Sequence, residues 1–335
     1  MSGHTTELTH RLVPSPGGRI HLVEQGTGPL VLLLHGFPES WYSWRHQLPA
    51  LAAAGYRAVA VDVRGYGRSS KPAPVEAYRM LDLVDDGVAV VHGLGEESAV
   101  VVGHDWGATI AAHSALIRPD VFHAVGLLSV PYTPPGGPRP SEAFAAMGGE
   151  EEFYVAYFQR PGRAEAEIEP DVRGWLAGLY AALSADTMPG PGAPDPHFVG
   201  RSGTMRERFP VDRLPSWLDG DDLDFYAAEF ERTGWGGALN RYRNMDRDWE
   251  ELAAFRGAPL TQPSLFIGGA LDASTTWLAD AIDAYPTTLP GLIASHVLDG
   301  CGHWVQQERP TEVNRLLTDW LAALPSRPGA PAAGK

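Results

Sequence analysis

Apolar positions fall into two rhythms along the first 130 residues. Leu30–Leu34 and Val100–Val102 are continuous apolar runs bounded by turn residues, the pattern of parallel strands covered on both faces. Tyr56–Val61 and Ala124–Val130 read as two further strands. Between them, Trp41–Ala54 reads as a helix, and Leu81, Val84, Val88, Val91 and Leu94 recur at helical spacing. Before them, the alternating runs Thr9–Val13 and Arg19–Gln25 flank a Pro/Gly-rich turn and predict an antiparallel pair at one sheet edge. Strands alternating with helices predict an α/β fold with a doubly wound, mostly parallel sheet, whose sites gather outside the carboxyl ends of the strands.

After Pro131 the rhythm changes. Residues 132–140 are mostly Pro and Gly, and Phe153–Phe158, Trp175–Leu183 and Asp222–Arg232 read as aromatic-rich helices. Buried-strand runs resume only at Ser264–Ile267 and Ser295–Leu298, with a closing helix over Thr311–Leu324. We therefore expect a core in two parts, 1–132 and 248–324, a helical cap over 133–247, and a flexible tail over 325–335. Met188–Pro196 should be an exposed loop. Phe153, Trp175, Trp217 and Trp235 make the cap aromatic, without revealing which of them face a pocket.

Composition narrows the partners. With 26 Lys and Arg against 41 Asp and Glu, the formal charge is −15, which argues against nucleic acid or an anionic membrane surface. Cys301 is the single cysteine, so an intrachain disulfide and a cysteine-based metal cluster are both excluded. No apolar run is long enough to span a bilayer, and the first residues lack a basic patch and an apolar stretch. These features predict a cytoplasmic protein and leave its oligomeric state open.

The chemistry centres on Gly103-His104-Asp105-Trp106-Gly107, which follows the run at 100–102 and precedes a small-residue helical segment. This is the strand, sharp turn and helix of a nucleophile elbow, with aspartate where serine is usual. A serine needs a base before it attacks, whereas a carboxylate, with a reference pKa of about 3.9, is already anionic at neutral pH. Asp105 is thus suited to displacing a leaving group from a saturated carbon, giving an ester that must then be hydrolysed. Asp272 and His303 follow later strands in the order nucleophile, acid, histidine. His303 would activate water and Asp272 would orient it; Asp280, Asp283 and Asp299 are rivals for the acid. Backbone N–H groups of Phe37 and Trp106 are the expected oxyanion donors.

These motifs, with His35-Gly36-Phe37-Pro38-Glu39-Ser40, Asp62-Val63-Arg64-Gly65-Tyr66-Gly67 and Gly302-His303-Trp304, resemble the epoxide hydrolases of the α/β-hydrolase superfamily. The likeness runs from about residue 8 to 323. It implies an eight-stranded sheet with an inserted lid, and an apolar epoxide and water as reactants. Segments around Tyr154 and Asn240-Arg241-Tyr242-Arg243 are similar to those carrying the family's two lid tyrosines, which implies Tyr154 and Tyr242 as proton donors to the epoxide oxygen. Tyr157, on a similar helical face, is the competing candidate for Tyr154. Neither metal nor organic cofactor is expected. A haloalkane or haloacid dehalogenase would use the same aspartate chemistry, with Trp106 as one halide donor. A non-catalytic small-molecule receptor of this fold is the remaining alternative, marked by a damaged triad.

Overall fold

In the computed structural model, residues 7–190, 192–210 and 213–325 are described. The expected tail over 325–335 lies outside them except for Pro325, as do the first six residues. Among the described residues, ten strands occur in chain order: β1 (Thr9–Ser15), β2 (Gly18–Gln25), β3 (Leu30–Leu34), β4 (Arg57–Val61), β5 (Ala99–His104), β6 (Phe122–Leu128), β7 (Glu151–Phe153), β8 (Phe198–Gly200), β9 (Ser264–Gly269) and β10 (Leu292–Leu298). Eight form one sheet in the order β1-β2-β4-β3-β5-β6-β9-β10. β2 runs against both its neighbours, and every other pairing in that sheet is parallel.

The central strands are apolar throughout because both faces are covered. Leu30, Leu32 and Leu34 join the core on one side of the sheet, while Val31 and Leu33 join the core on the other. Leu32 is fully buried, so truncating it to alanine should cost about 2–5 kcal/mol. The helix Met80–Gly93 packs on the first side, and Pro310–Ala322 on the second.

Between β6 and β9 the chain leaves the sheet. Helices Val172–Ala182, Gly220–Thr233 and Gly236–Tyr242 are the main members of this segment. Their buried side chains form a third apolar cluster, which also takes in Phe37, Tyr66 and Trp304 from loops of the sheet. Two details depart from expectation. β7 and β8 pair antiparallel within the segment, whereas Phe153 reads as helical in the sequence. β6 spans Phe122–Leu128, two residues earlier than its apolar run predicts, because Ser129 adopts a positive φ of 71° and ends the strand. Among the described residues, no helix is long and apolar enough to cross a membrane.

Candidate active site

β5 ends at His104 and a helix begins at Trp106. Asp105, at the bend, has φ 53° and ψ −120°, a conformation that costs a non-glycine residue on the order of 1 kcal/mol. The bend requires bare backbone around it. A Cβ on Gly103 would lie 1.9 Å from the Gly107 carbonyl oxygen, and one on Gly107 would lie 2.0 Å from that of Leu34. Gly36, in the loop after β3, is similarly confined, since a Cβ there would sit 2.4 Å from Asp105 Oδ1.

That closeness gives the two carboxylate oxygens of Asp105 different surroundings. Oδ1 accepts a hydrogen bond of 2.9 Å from the Phe37 N–H. Trp106 opens the helix, so its N–H is among those left without an intrahelical partner. Oδ2 faces His303 Nε2 across 3.8 Å. His303 Nδ1 lies 3.1 Å from Asp272 Oδ1 and 3.1 Å from Ser129 Oγ, and the Ser129 hydroxyl donates to Asp272 Oδ2 at 2.5 Å. Ser274 N–H adds a bond of 3.1 Å to Asp272. Burial opposes charge on both partners, but attraction outweighs it. Asp272 is held below the ordinary carboxylate range by His303 and its hydrogen bonds. His303 is raised to about 9 by Asp272 first, then by the charges of Asp105 and Glu39. Asp280, Asp283 and Asp299, the rival acids, are all exposed.

Beneath this group lies a buried carboxylate to which the sequence assigned no role. Glu39 Oε2 accepts from Gly36 N–H at 3.1 Å and meets His104 Nδ1 at 2.9 Å; Oε1 accepts from the Gln306 and Gln307 amides at 3.2 and 2.9 Å. Nε2 of His104 reaches the His303 carbonyl at 2.8 Å. Burial disfavours the Glu39 charge, but His104 and the hydrogen bonds around it hold its pKa low. One side chain thus ties the Gly36-Phe37 loop to the turn carrying His303.

A cleft of about 540 Å³ opens above Asp105. Tyr154 and Tyr242 line it with Asp105 and His303, their rings 6.1 Å apart and nearly perpendicular. Burial raises both phenols well beyond the ordinary tyrosine value, with the Asp105 charge adding to the effect, so each keeps its proton at neutral pH. Tyr157 points elsewhere, with its hydroxyl on Glu167 and the Arg163 guanidinium over its ring.

None of Phe153, Trp175, Trp217 and Trp235 lines this cleft. Phe153, Trp175 and Trp235 are buried in the aromatic cluster, and Trp217 donates to Ser184. The apolar wall is instead Leu179, Leu183 and Met205, with His197 and Trp277 also lining the cleft. Pro196 lines it as well, so the loop expected to be exposed turns inward at its last residue. The sequence signal for this turn is slight, an apolar-flanked His197 directly after the Pro/Gly stretch.

Fold and site together define an α/β hydrolase, and the sequence model for the alpha/beta hydrolase fold matches residues 29–310. The chain is 44% identical to epoxide hydrolase B of Mycobacterium tuberculosis, covering 94% of this chain and 98% of that protein. It is 42% identical to epoxide hydrolase A of the same organism, over 95% and 99%. Among solved structures, an epoxide hydrolase from an endophytic Streptomyces shares 71% identity, with a TM-score of 0.93 over 95% of this chain and 96% of that one. Epoxide hydrolase A from Mycobacterium thermoresistibile shares 43% identity, with a TM-score of 0.89 over 96% and 100%. The chain belongs to the epoxide hydrolases of the α/β-hydrolase family.

Proposed function

We propose that this enzyme converts an apolar epoxide and water to a vicinal diol through an ester on Asp105. The observation that carries the reading is the unequal setting of the Asp105 oxygens, one held by a backbone N–H and one open to His303 and the cleft. Oδ2 attacks a ring carbon, the carbon–oxygen bond breaks with its electron pair on oxygen, and Tyr154 with Tyr242 supplies the proton. Oδ1 becomes the carbonyl oxygen of the ester. When water adds to that carbonyl, the new negative charge falls on Oδ1, where the N–H groups of Phe37 and Trp106 stabilise it.

The raised pKa of His303 fits a proton cycle that closes. At neutral pH the resting histidine is an imidazolium, and the charge of Asp105 is one cause. Esterification removes that charge, so the pKa falls. The histidine proton passes through solvent to the tyrosinate left by ring opening, and the neutral imidazole then takes a proton from the attacking water. The tetrahedral adduct then collapses, the proton of its new hydroxyl passing to the leaving alkoxide to give the diol, and the regenerated Asp105 carboxylate keeps the proton that His303 took from water in place.

Residues 133–247 act in this reading as a cap that contributes both acids and most of the apolar wall, over a core formed by 1–132 and 248–324. The buried Cys301 and the acidic composition support the cytoplasm as its place of work. One turnover in heavy-oxygen water tests the scheme. The isotope should enter the peptide containing Asp105; label appearing only in the diol would refute the ester.

A further inference from the structure

Tyr242 is backed by an unusual stack. Its ring meets the Trp106 indole edge-on, with centroids 5.1 Å apart at 85°. The guanidinium of its chain neighbour, Arg241, lies over that indole, with Cζ 4.9 Å from the ring centroid. Arg241 is buried, paired with Asp248, and donates from Nη1 to the Tyr78 carbonyl at 2.6 Å. Its Nε has no hydrogen-bond partner among the described residues. Tyr66 and His113 are further titratable groups within electrostatic reach. A buried ion pair is often no more stabilising than apolar side chains of similar volume, so the pair itself calls for a reason, and of its two members the guanidinium is the one that lies over Trp106.

We propose that Arg241 is a positioning residue for ring opening: stacked on Trp106, it holds the indole against Tyr242 and sets a fixed positive charge behind the phenol that gives up its proton. The inference rests on the reading of Tyr242 as a proton donor. When the epoxide carbon–oxygen bond breaks, the electron pair goes to that oxygen. The Tyr242 proton follows, and a negative charge is left on the phenolate. In a site of low dielectric that charge is costly unless opposite charge is already in place. The guanidinium end of the Arg241–Asp248 pair, one ring away, supplies it as an oriented dipole without any reorganisation. The cation also draws on the π-electrons of Trp106, which strengthens the indole as a hydrogen-bond donor.

The electrostatics agree in direction. Burial raises the Tyr242 pKa, Tyr154 and Asp105 add to the rise, and a hydrogen bond with Trp106 opposes it. Burial lowers Arg241 to about 9, against the pull of Tyr66 and Tyr242, which leaves it cationic at neutral pH. Hydrolysis of the ester creates no charge on Tyr242, so Arg241 should act on one half-reaction alone.

Rapid-mixing kinetics with styrene oxide separate the two half-reactions. Arg241→Met should slow formation of the ester about threefold to fivefold, a fraction of what a general acid supplies, while ester hydrolysis stays near wild type. Arg241→Lys, which keeps the charge, should recover most of the loss. In a Tyr242→Phe background, Arg241→Met should add nothing. Should Arg241→Met not fold, Trp106→Phe keeps the ring and removes the N–H, and it should slow ester formation selectively. Unchanged ester formation in folded Arg241→Met, equal slowing of both steps, or a lysine variant no better than methionine would each overturn the inference. Unchanged ester formation in Tyr242→Phe would instead overturn the proton-donor reading beneath it.

Discussion

The two sides of the cleft are built on different principles. On the sheet side, Asp105, Asp272 and His303 follow strand ends, and backbone geometry holds them: a left-handed bend at Asp105, a left-handed Ser129 beside Asp272, and N–H groups aimed at oxygen. On the opposite side, Tyr154 and Tyr242 stand on helices whose positions depend on aromatic packing, with Phe37 and Phe158 both against Tyr242. In the mechanism proposed above, the contrast separates a side held by backbone, which makes and breaks the ester, from a side held by packing, which grips the leaving oxygen and the substrate. Variants on each side should therefore fail in different ways.

The largest effect is expected at the apex of the backbone-held side. Asp105→Ala should abolish diol formation by roughly a thousandfold or more, with no substrate mass on the protein by intact mass spectrometry. His303→Gln should still form the ester and release it slowly, on the order of 10²–10⁴-fold, so the same measurement should show the adduct accumulating. Loss of the adduct in a folded His303→Gln enzyme would erase the division between the two sides. The tyrosines come next. Tyr154→Phe and Tyr242→Phe should each slow ester formation about tenfold or more, and the double variant should nearly stop it, with hydrolysis of any ester formed left intact in rapid-quench assays.

The pH dependence sharpens the comparison further. His303 is raised from 6.5 to about 9 in the folded state, so its contribution to stability is fully present below pH 6.5 and is lost as the pH climbs through about 9. The stability difference between wild type and His303→Gln in urea melts should shrink over that interval. In Asp105→Asn, an imidazole titration followed by NMR should show a lower His303 pKa, since one negative charge is gone. The smallest effect is expected at Trp277, which is 45% exposed. Trp277→Ala should leave stability within about 0.5 kcal/mol and alter KM for bulky epoxides more than kcat.

Much of the backbone-held side was legible in the sequence because local signals coincide there. Apolar runs fix the strands, Gly103 and Gly107 mark the bend, and Asp105, Asp272 and His303 each follow a strand. The tyrosine pair was legible only through its resemblance to family segments. In residue terms alone, Tyr154 and Tyr157 are equivalent, and what divides them is the position of Glu167 and Arg163, which packing decides. The buried role of Glu39 was hidden for the same reason. Its partners His104, Gln306 and Gln307 are distant in the chain, and a glutamate in a turn reads as solvated. The early end of β6 is not legible, because Leu127-Leu128-Ser129-Val130 carries no glycine or proline to announce a left-handed residue.

The uneven ownership of the cleft has a use in engineering. Leu179, Leu183 and Met205 shape the space above Asp105 with apolar side chains, and the bond from the His303 N–H to the Leu183 carbonyl at 2.9 Å is a backbone contact that a new side chain leaves in place. Saturation libraries confined to those three positions should redistribute enantiomer preference while the reacting groups keep their alignment. Diversity introduced at Gly36 would collide with the carboxylate itself and return mostly dead clones.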